Sequence, residues 1–153
     1  MNWQQLDHVQ LVEDLRNAFI GCMLSVAAEC FALLRQAGSD YQWSVQCAEV
    51  ARVLAGTGVC RCGLLTLCVL GRVMRRSVKE ALEGNAESLF CDEGVAEILQ
   101  KKQLAWRRAV TLSVIAGITA PVMTAALAYM DTMRREKLPQ NLVNVGQARR
   151  GEA

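Results

Sequence analysis

The residues best suited to metal or redox chemistry are the cysteines, which number seven, whereas histidine occurs once, as His8. The cysteines are Cys22, Cys30, Cys47, Cys60, Cys62, Cys68 and Cys91. One residue separates Cys60 from Cys62, not the two that are typical of zinc ribbons, and a lone histidine completes no ligand set. The odd number and the polar start from Met1 to Asp7 favour neither a disulfide framework nor a secretory signal. Free cysteine in apolar runs acts as a small hydrophobic residue, so we expect a reducing compartment and no metal site.

Motifs for catalysis are equally weak. The stretch GTGVCRCG, from Gly56 to Gly63, is rich in glycine, but Leu64 stands where a phosphate-binding loop requires lysine. The sequence has no serine elbow and no pair of carboxylates in an apolar setting. We therefore expect a protein that is not an enzyme and that binds no cofactor. A redox pair formed by Cys60 and Cys62 is an alternative, and it would require surroundings that stabilise a thiolate.

The elements that would position any site are predicted to be helices. The chain is 52% hydrophobic, and its only prolines are Pro121 and Pro139, a composition that favours an all-α fold. The net charge is +2, with acidic and basic residues interspersed, which argues against a nucleic-acid partner. Arginine doublets such as Arg107-Arg108 are interpreted mostly as solvated helix faces.

Apolar residues between Val12 and Leu34 recur every three to four positions and predict one helical stripe, which Gly21 could divide in two. A loop is expected from Gly38 to Trp43. A short helix should follow from Val45 to Leu54 and stop at the glycines that begin with Gly56.

The stretch from Val59 to Met74 carries no charge between Arg61 and Arg72. That part is apolar on all sides and too short to cross a bilayer, so we expect a buried central helix that extends to about Leu82. An amphipathic stretch from Ala86 to Trp106 follows, with a break conceivable at Gly94. Ala109 to Met130 carries no charge and fits either a membrane span or a second buried helix. These segments predict a helical domain over 1–108, an apolar helix over 109–130 and a polar tail over 131–153.

Two stretches resemble the B-cell lymphoma (Bcl) family of apoptosis regulators. LRQAGSDY, residues 34–41, is similar to the third homology region of that family, with Gly38 as its small residue. GVCRCGLLTLCVLGRVM, residues 58–74, resembles the first homology region and the central helix, and Trp106 falls near the tryptophan of the second region. There are departures: Ser39 replaces the aspartate of the third region, and Gly63 stands where the family has its groove arginine.

The resemblance implies a helical bundle around the Val59–Leu82 helix, with a hydrophobic surface groove that binds an amphipathic death-ligand helix from a pro-apoptotic partner. Arg61 would replace the missing arginine, and Gly38 would lie where one helix must approach another closely. The expected groove residues are Tyr41, Val50, Val53, Leu54, Val59, Arg61, Leu64 and Leu67.

The implied function is that of an apoptosis inhibitor, similar to a virus-encoded pro-survival member of the family. Its expected location is the cytosol or the cytoplasmic face of the mitochondrial outer membrane, and the resemblance also allows a homodimer. The alternatives are a pro-death member of the same family and a small tail-anchored membrane protein without a groove.

Overall fold

A computed structural model describes residues 7–56, 81–82 and 88–136, with only the backbone for 54–56. Within these ranges every regular element is a helix and none is a strand, so the predicted all-α class is confirmed. The elements are α1 (His8–Asp40), α2 (Cys47–Gly56), a short 3-10 helix (Leu89–Cys91), α3 (Glu93–Ala116) and α4 (Pro121–Met133).

Helix α1 is one uninterrupted helix of 33 residues. The Asp7 carboxylate caps its start by accepting hydrogen bonds from the backbone N–H groups of Val9 and Gln10, at 3.0 and 3.2 Å. Gly21 does not divide the helix, and Gly38 lies within its last turn, so the loop predicted from Gly38 starts three residues later, at Tyr41. The helix tolerates both glycines because packing along its length outweighs their low helix propensity.

Helices α3 and α4 divide the apolar segment that was predicted to form a single helix over 109–130. Gly117, with φ of 68°, ends α3. The N–H of Ile118 donates to the Ser113 carbonyl at 2.9 Å and that of Gly117 to the Val114 carbonyl at 3.2 Å, which is the hydrogen-bond pattern of a Schellman motif. Pro121 then begins α4, where its missing N–H costs nothing. The prediction of one continuous helix is therefore wrong.

The start of α3 also differs from its sequence prediction. Gly94 does not break the helix, since it lies in the first turn, directly after the capping residue Asp92. The Asp92 carboxylate accepts a hydrogen bond from the N–H of Val95 at 2.9 Å, which satisfies one of the free donors at this helix end.

The core lies where α1 packs against α3 and α4. Its largest fully buried side chains are those of Trp106, Leu24, Met130 and Val95, and they come from all three helices. In the described part of the chain α1 therefore occupies the central position. The helix predicted for Val59–Leu82 lies outside the described residues except for Ala81 and Leu82, which are helical and buried. Its central role stays a prediction, as do the domain boundaries at 108 and 130.

Among the described helices, α1 is long and apolar enough to cross a membrane, with a mean hydropathy of 1.8 over its most apolar window. Part of that window, 44%, is buried inside the fold, and the core helix of a non-membrane protein meets the same criteria. The predicted membrane helix over 109–130 is not supported, because the break between α3 and α4 falls in its middle.

Candidate functional site

Among the described glycines, Gly21 of α1 has the tightest surroundings, because it lies against Trp106 of α3. A Cβ atom added to Gly21 would lie 2.6 Å from Cε3 of the indole and 3.1 Å from Cζ3, so only glycine fits beneath this ring. Gly38, which was predicted to have this role, would place a Cβ atom no closer than 3.5 Å to any of the described neighbours. In the described part of the chain the close contact lies almost five helical turns earlier in α1, and a close approach at Gly38 stays a prediction.

The same indole holds the start of α4. Its Nε1–H donates to the Met123 carbonyl at 3.2 Å, while the ring itself is completely buried. One residue earlier in α4, the Val122 carbonyl lies 3.7 Å from the Cys22 thiol, which donates to it. Burial raises the pKa of Cys22, so this thiol is an inert packing group and not a nucleophile.

Arg108 and Asp14 form a two-pronged ion pair between α3 and α1. The arginine Nε and a terminal nitrogen donate to the two carboxylate oxygens at 2.7 and 2.6 Å, and Gln10 adds a third hydrogen bond at 2.9 Å. The Arg108 hydrogen bond lowers the pKa of Asp14 although burial opposes it, and the same contact raises the pKa of Arg108. The pair therefore stays ionised at neutral pH and fixes α3 against α1.

Arg107 and Asp131 form a second two-pronged pair, between α3 and α4, at 2.8 and 2.5 Å. The Arg107 hydrogen bond lowers the pKa of Asp131, and the Asp131 hydrogen bond raises that of Arg107. Most arginine doublets were interpreted as solvated faces; Arg107 and Arg108 are 40% and 55% exposed, in agreement with that, but each is also engaged by a carboxylate of another helix. Their partners lie 24 and 94 residues away in the sequence, so no local spacing could have revealed either pair.

A groove with a volume of about 480 Å³ runs between the first turns of α1 and the second half of α3. It is lined by Asp7, Gln10, Leu11, Asp14, Leu104, Arg107, Arg108, Ala109, Thr111, Leu112 and Ile115. The charged groups at its edge are largely engaged, because Asp14 is paired with Arg108, Arg107 is paired with Asp131, and Asp7 caps α1. Although six of these eleven residues are polar or charged, most of the surface area that they present to the groove is apolar, which suits an apolar occupant better than a charged one.

Three of the residues predicted to line a ligand groove have described side chains, and none of the three lines this groove: Tyr41, Val50 and Val53. Tyr41 and Val53 are exposed, Val50 is half-buried, and Leu54 lies near the end of α2. Tyr41 stacks on Trp43 with ring centroids 5.1 Å apart, far along the chain from the groove residues. Val59, Arg61, Leu64 and Leu67 lie outside the described residues. Whether the eight positions share a surface stays a prediction.

Comparison of this chain with known proteins identifies the family to which it belongs. The family model described as "6-phosphogluconate dehydrogenase, C-terminal domain" matches residues 2–150. This chain belongs to that family. A relative in Arabidopsis thaliana, "6-phosphogluconate dehydrogenase, decarboxylating 2", is 35% identical over 142 residues, which cover 92% of this chain and 27% of the relative.

Other proteins of the 6-phosphogluconate dehydrogenase family are also similar to this chain. The chloroplastic enzyme named decarboxylating 2 from Spinacia oleracea is 36% identical over 90% of this chain and 24% of its own length. The solved structure of the Plasmodium falciparum enzyme superimposes with a TM-score of 0.74 at 26% identity, over 91% of this chain and 28% of that one. The chain thus spans about a quarter of the length of the relatives it matches.

Membership in the 6-phosphogluconate dehydrogenase family overturns the Bcl resemblance and what followed from it. The expected apoptosis inhibitor, its viral character and its death-ligand partners are wrong, because the match covers residues 2–150 and the relatives are dehydrogenases. The expectation that the protein is no enzyme is wrong for the same reason. The expected mitochondrial outer membrane is also withdrawn, since it rested on the resemblance and relatives here are named chloroplastic.

Proposed function

We propose that this chain supplies the helical C-terminal part of an enzyme that oxidises and decarboxylates 6-phosphogluconate. The observation that carries the proposal is the family match over residues 2–150, together with relatives whose names specify a decarboxylating dehydrogenase. The TM-score of 0.74 with the Plasmodium falciparum enzyme supports it, because a match of this quality indicates the same fold.

The described contacts among α1, α3 and α4 hold the helices together, and none of them is assigned a part in the chemistry of that reaction. The Plasmodium falciparum structure is described with NADP+ as cofactor and 6-phosphogluconate as substrate, and arginine is the usual ligand for their phosphate groups. Arg107 and Arg108 are held by Asp131 and Asp14, and His8 is exposed in the first turn of α1. Neither arginine is therefore free to bind a phosphate group, and no step of the reaction is assigned to the described residues.

The role of the described helices in this proposal is to hold a rigid scaffold. Trp106 over Gly21 fixes the distance between α1 and α3, and the two arginine pairs fix the rotation of α3 relative to α1 and α4. Catalytic geometry depends on positioning to within about half an ångström, so a scaffold of this kind contributes through rigidity.

A chimaera tests the proposal. The segment of the spinach chloroplastic enzyme that matches this chain is replaced by the chain itself, and the purified protein is assayed with 6-phosphogluconate and NADP+. We expect formation of NADPH with release of carbon dioxide. The chain alone serves as the control and should be inactive, because it spans about a quarter of its relatives. A chimaera that folds and binds both molecules without reducing NADP+ would contradict the proposal.

A further inference from the structure

Helix α4 is the least firmly anchored of the three helices that form the core. Its buried residues are Ala126, Leu127 and Met130, three in number, against five in α3 and ten in α1. No side chain caps its first turn, whereas Asp7 and Asp92 cap α1 and α3. A helix of 13 residues is marginal in water without tertiary packing. Fewer buried side chains must therefore leave the core for α4 to detach than for either of the other two helices.

The chain on both sides of α4 allows it to move separately. Between α3 and α4, Gly117, Ile118 and Thr119 are exposed. A Cβ atom on Gly117 would meet no described atom within 4 Å beyond its chain neighbours, and glycine adopts either sign of φ at little cost. After α4, residues 134–136 are also exposed. Rotation at either end would therefore displace few packed side chains.

The Arg107–Asp131 pair ties α4 to α3. Its side chains are 40% and 30% exposed, so water can replace each of its hydrogen bonds as the two groups separate. The Asp14–Arg108 pair joins α1 to α3 and includes no residue of α4. The first pair can therefore break while the second keeps α1 and α3 together.

The docked α4 covers the Cys22 thiol of α1. The sulfur lies 3.7 Å from the Val122 carbonyl, and the residue is 4% exposed. Detachment of α4 would remove this carbonyl and admit water and small reagents to the sulfur. Cys30, about two turns later in the same helix, is exposed. The reactivity of Cys22 relative to that of Cys30 therefore measures how often α4 is detached from α1.

We infer that α4 opens as a unit while α1 and α3 stay packed, and that the Arg107–Asp131 pair is the latch that limits this opening. Cys22 then has two states, a covered thiol while α4 is docked and a modifiable thiol while α4 is open. The inference goes beyond the proposed function, because it concerns a movement among the described helices and does not depend on the dehydrogenase reaction.

The experiment measures alkylation of Cys22 by iodoacetamide in the full chain of 153 residues, with Cys30 as the internal reference. In this reaction the thiol gives its proton to water and its sulfur displaces iodide, so a carbon–sulfur bond replaces the carbon–iodine bond. Mass spectrometry of peptides follows the extent of alkylation at each cysteine over time. The reagent is kept dilute, so that α4 closes faster than Cys22 reacts and the rate reports the open population.

In the wild type, Cys22 should react far more slowly than Cys30. The Cys22 rate should also rise less steeply with urea concentration than the unfolding constant of the whole domain does, because the opening of one helix exposes less surface.

Two variants with the same chemical change separate the opening of α4 from unfolding of the whole domain. Asp131→Asn weakens the latch and should raise the Cys22 rate by about three- to fivefold, the upper range for a partly exposed ion pair. Asp14→Asn weakens the other pair, which is intact whether α4 is docked or open. It should leave the Cys22 rate near the wild-type value, although it makes the chain less stable to urea. Neither variant should change the Cys30 rate.

Equal acceleration of Cys22 by the two variants would overturn the inference, because the thiol would then be reached only by unfolding of the whole domain. An unchanged rate in Asp131→Asn would also overturn it, as would a wild-type Cys22 that reacts as fast as Cys30. If Asp131→Asn does not fold, the wild-type dependence on urea decides alone. A slope equal to that of global unfolding overturns the inference, and a smaller slope supports it.

Discussion

Two glycines in α1 stand in contrasting surroundings. Gly21, near the middle of the helix, lies beneath the fully buried Trp106 ring, and a Cβ atom there would be 2.6 Å from the indole. Gly38, in the last turn, is half-buried, and a Cβ atom there would meet the described parts of Trp43 and Val45 only at ordinary contact distances, 3.5 and 3.7 Å. Of these two glycines in the same helix, only Gly21 is required by a described contact.

The contrast shows that the reason for a glycine within a helix can be recognised only from the residues that pack against it. Each glycine costs the helix about 1 kcal/mol relative to alanine. At Gly21 the close packing of α1 on Trp106 offsets this cost, whereas no described contact does so at Gly38. The following predictions test this difference, beginning with the largest expected effect.

Replacement of the residue that packs on Gly21 should have the largest effect. Trp106→Ala removes a completely buried indole and leaves a cavity between α1, α3 and α4, so the free energy of unfolding should fall by about 3–5 kcal/mol. Chemical denaturation of the full chain, followed by far-ultraviolet circular dichroism, measures this loss.

Trp106→Phe is the control for that variant. It keeps an aromatic ring above Gly21 but loses the N–H that donates to the Met123 carbonyl, and should therefore be destabilised less than Trp106→Ala. If the two variants lost equal stability, the hydrogen bond and not the ring would be the important contact.

The next largest effect is expected at Gly21. In Gly21→Ala the new methyl group must displace the indole, and overpacking of this kind costs about 1–3 kcal/mol, against a gain in helix propensity of about 1 kcal/mol. A net loss of stability is therefore expected in thermal melts. A stabilised Gly21→Ala variant would show that α1 and α3 can separate without cost, and the contrast with Gly38 would disappear.

The Asp14–Arg108 pair, on the same helix interface as Gly21, predicts a dependence on pH. The Arg108 hydrogen bond lowers the pKa of Asp14 from its ordinary value of 3.8. A lowered folded-state pKa gives stability that is present above pH 3.8 and is lost as the pH falls through the lower folded value. Asp14→Asn should therefore show a shallower loss of stability below about pH 4 than the wild type does. Parallel acid titrations of the two proteins, followed by circular dichroism, check this, and identical curves would argue against the pair.

The smallest effect is expected at Gly38, and it has the opposite sign. Gly38→Ala should raise the free energy of unfolding by about 0.4–1 kcal/mol, because the position is helical and the methyl group has room. A melting temperature above that of the wild type would confirm it. A loss of stability at Gly38 would show that this end of α1 packs against residues beyond the described ranges.

The helical class and several helix ends could be predicted from the sequence because their causes are local. Asp92, Gly117 and Pro121 act through their own backbone geometry and nearest neighbours, so the signals for the start of α3 and for the break before α4 are present in the chain. The break was nevertheless missed, because small residues and an internal proline in an uncharged run of this length are also typical of a single membrane-spanning helix.

The contacts that distinguish this fold from other helical bundles could not be predicted. Gly21 meets Trp106 and Asp14 meets Arg108 across more than 80 residues of sequence, and no periodicity connects them. The Bcl resemblance failed for a related reason. Apolar residues every three to four positions with a small residue among them occur in any helix that packs closely, so the pattern indicates packing and not ancestry.

The buried indole of Trp106 also gives the protein an optical signal. The ring is shielded from water, while the Trp43 side chain is 58% exposed. Its emission should therefore lie at shorter wavelength than that of Trp43 and should resist quenching by dissolved iodide. Because the ring lies directly on Gly21, separation of α1 from α3 would wet it and move its emission to longer wavelength. With Trp3 and Trp43 replaced by phenylalanine, the fluorescence spectrum alone would follow the opening of this helix pair.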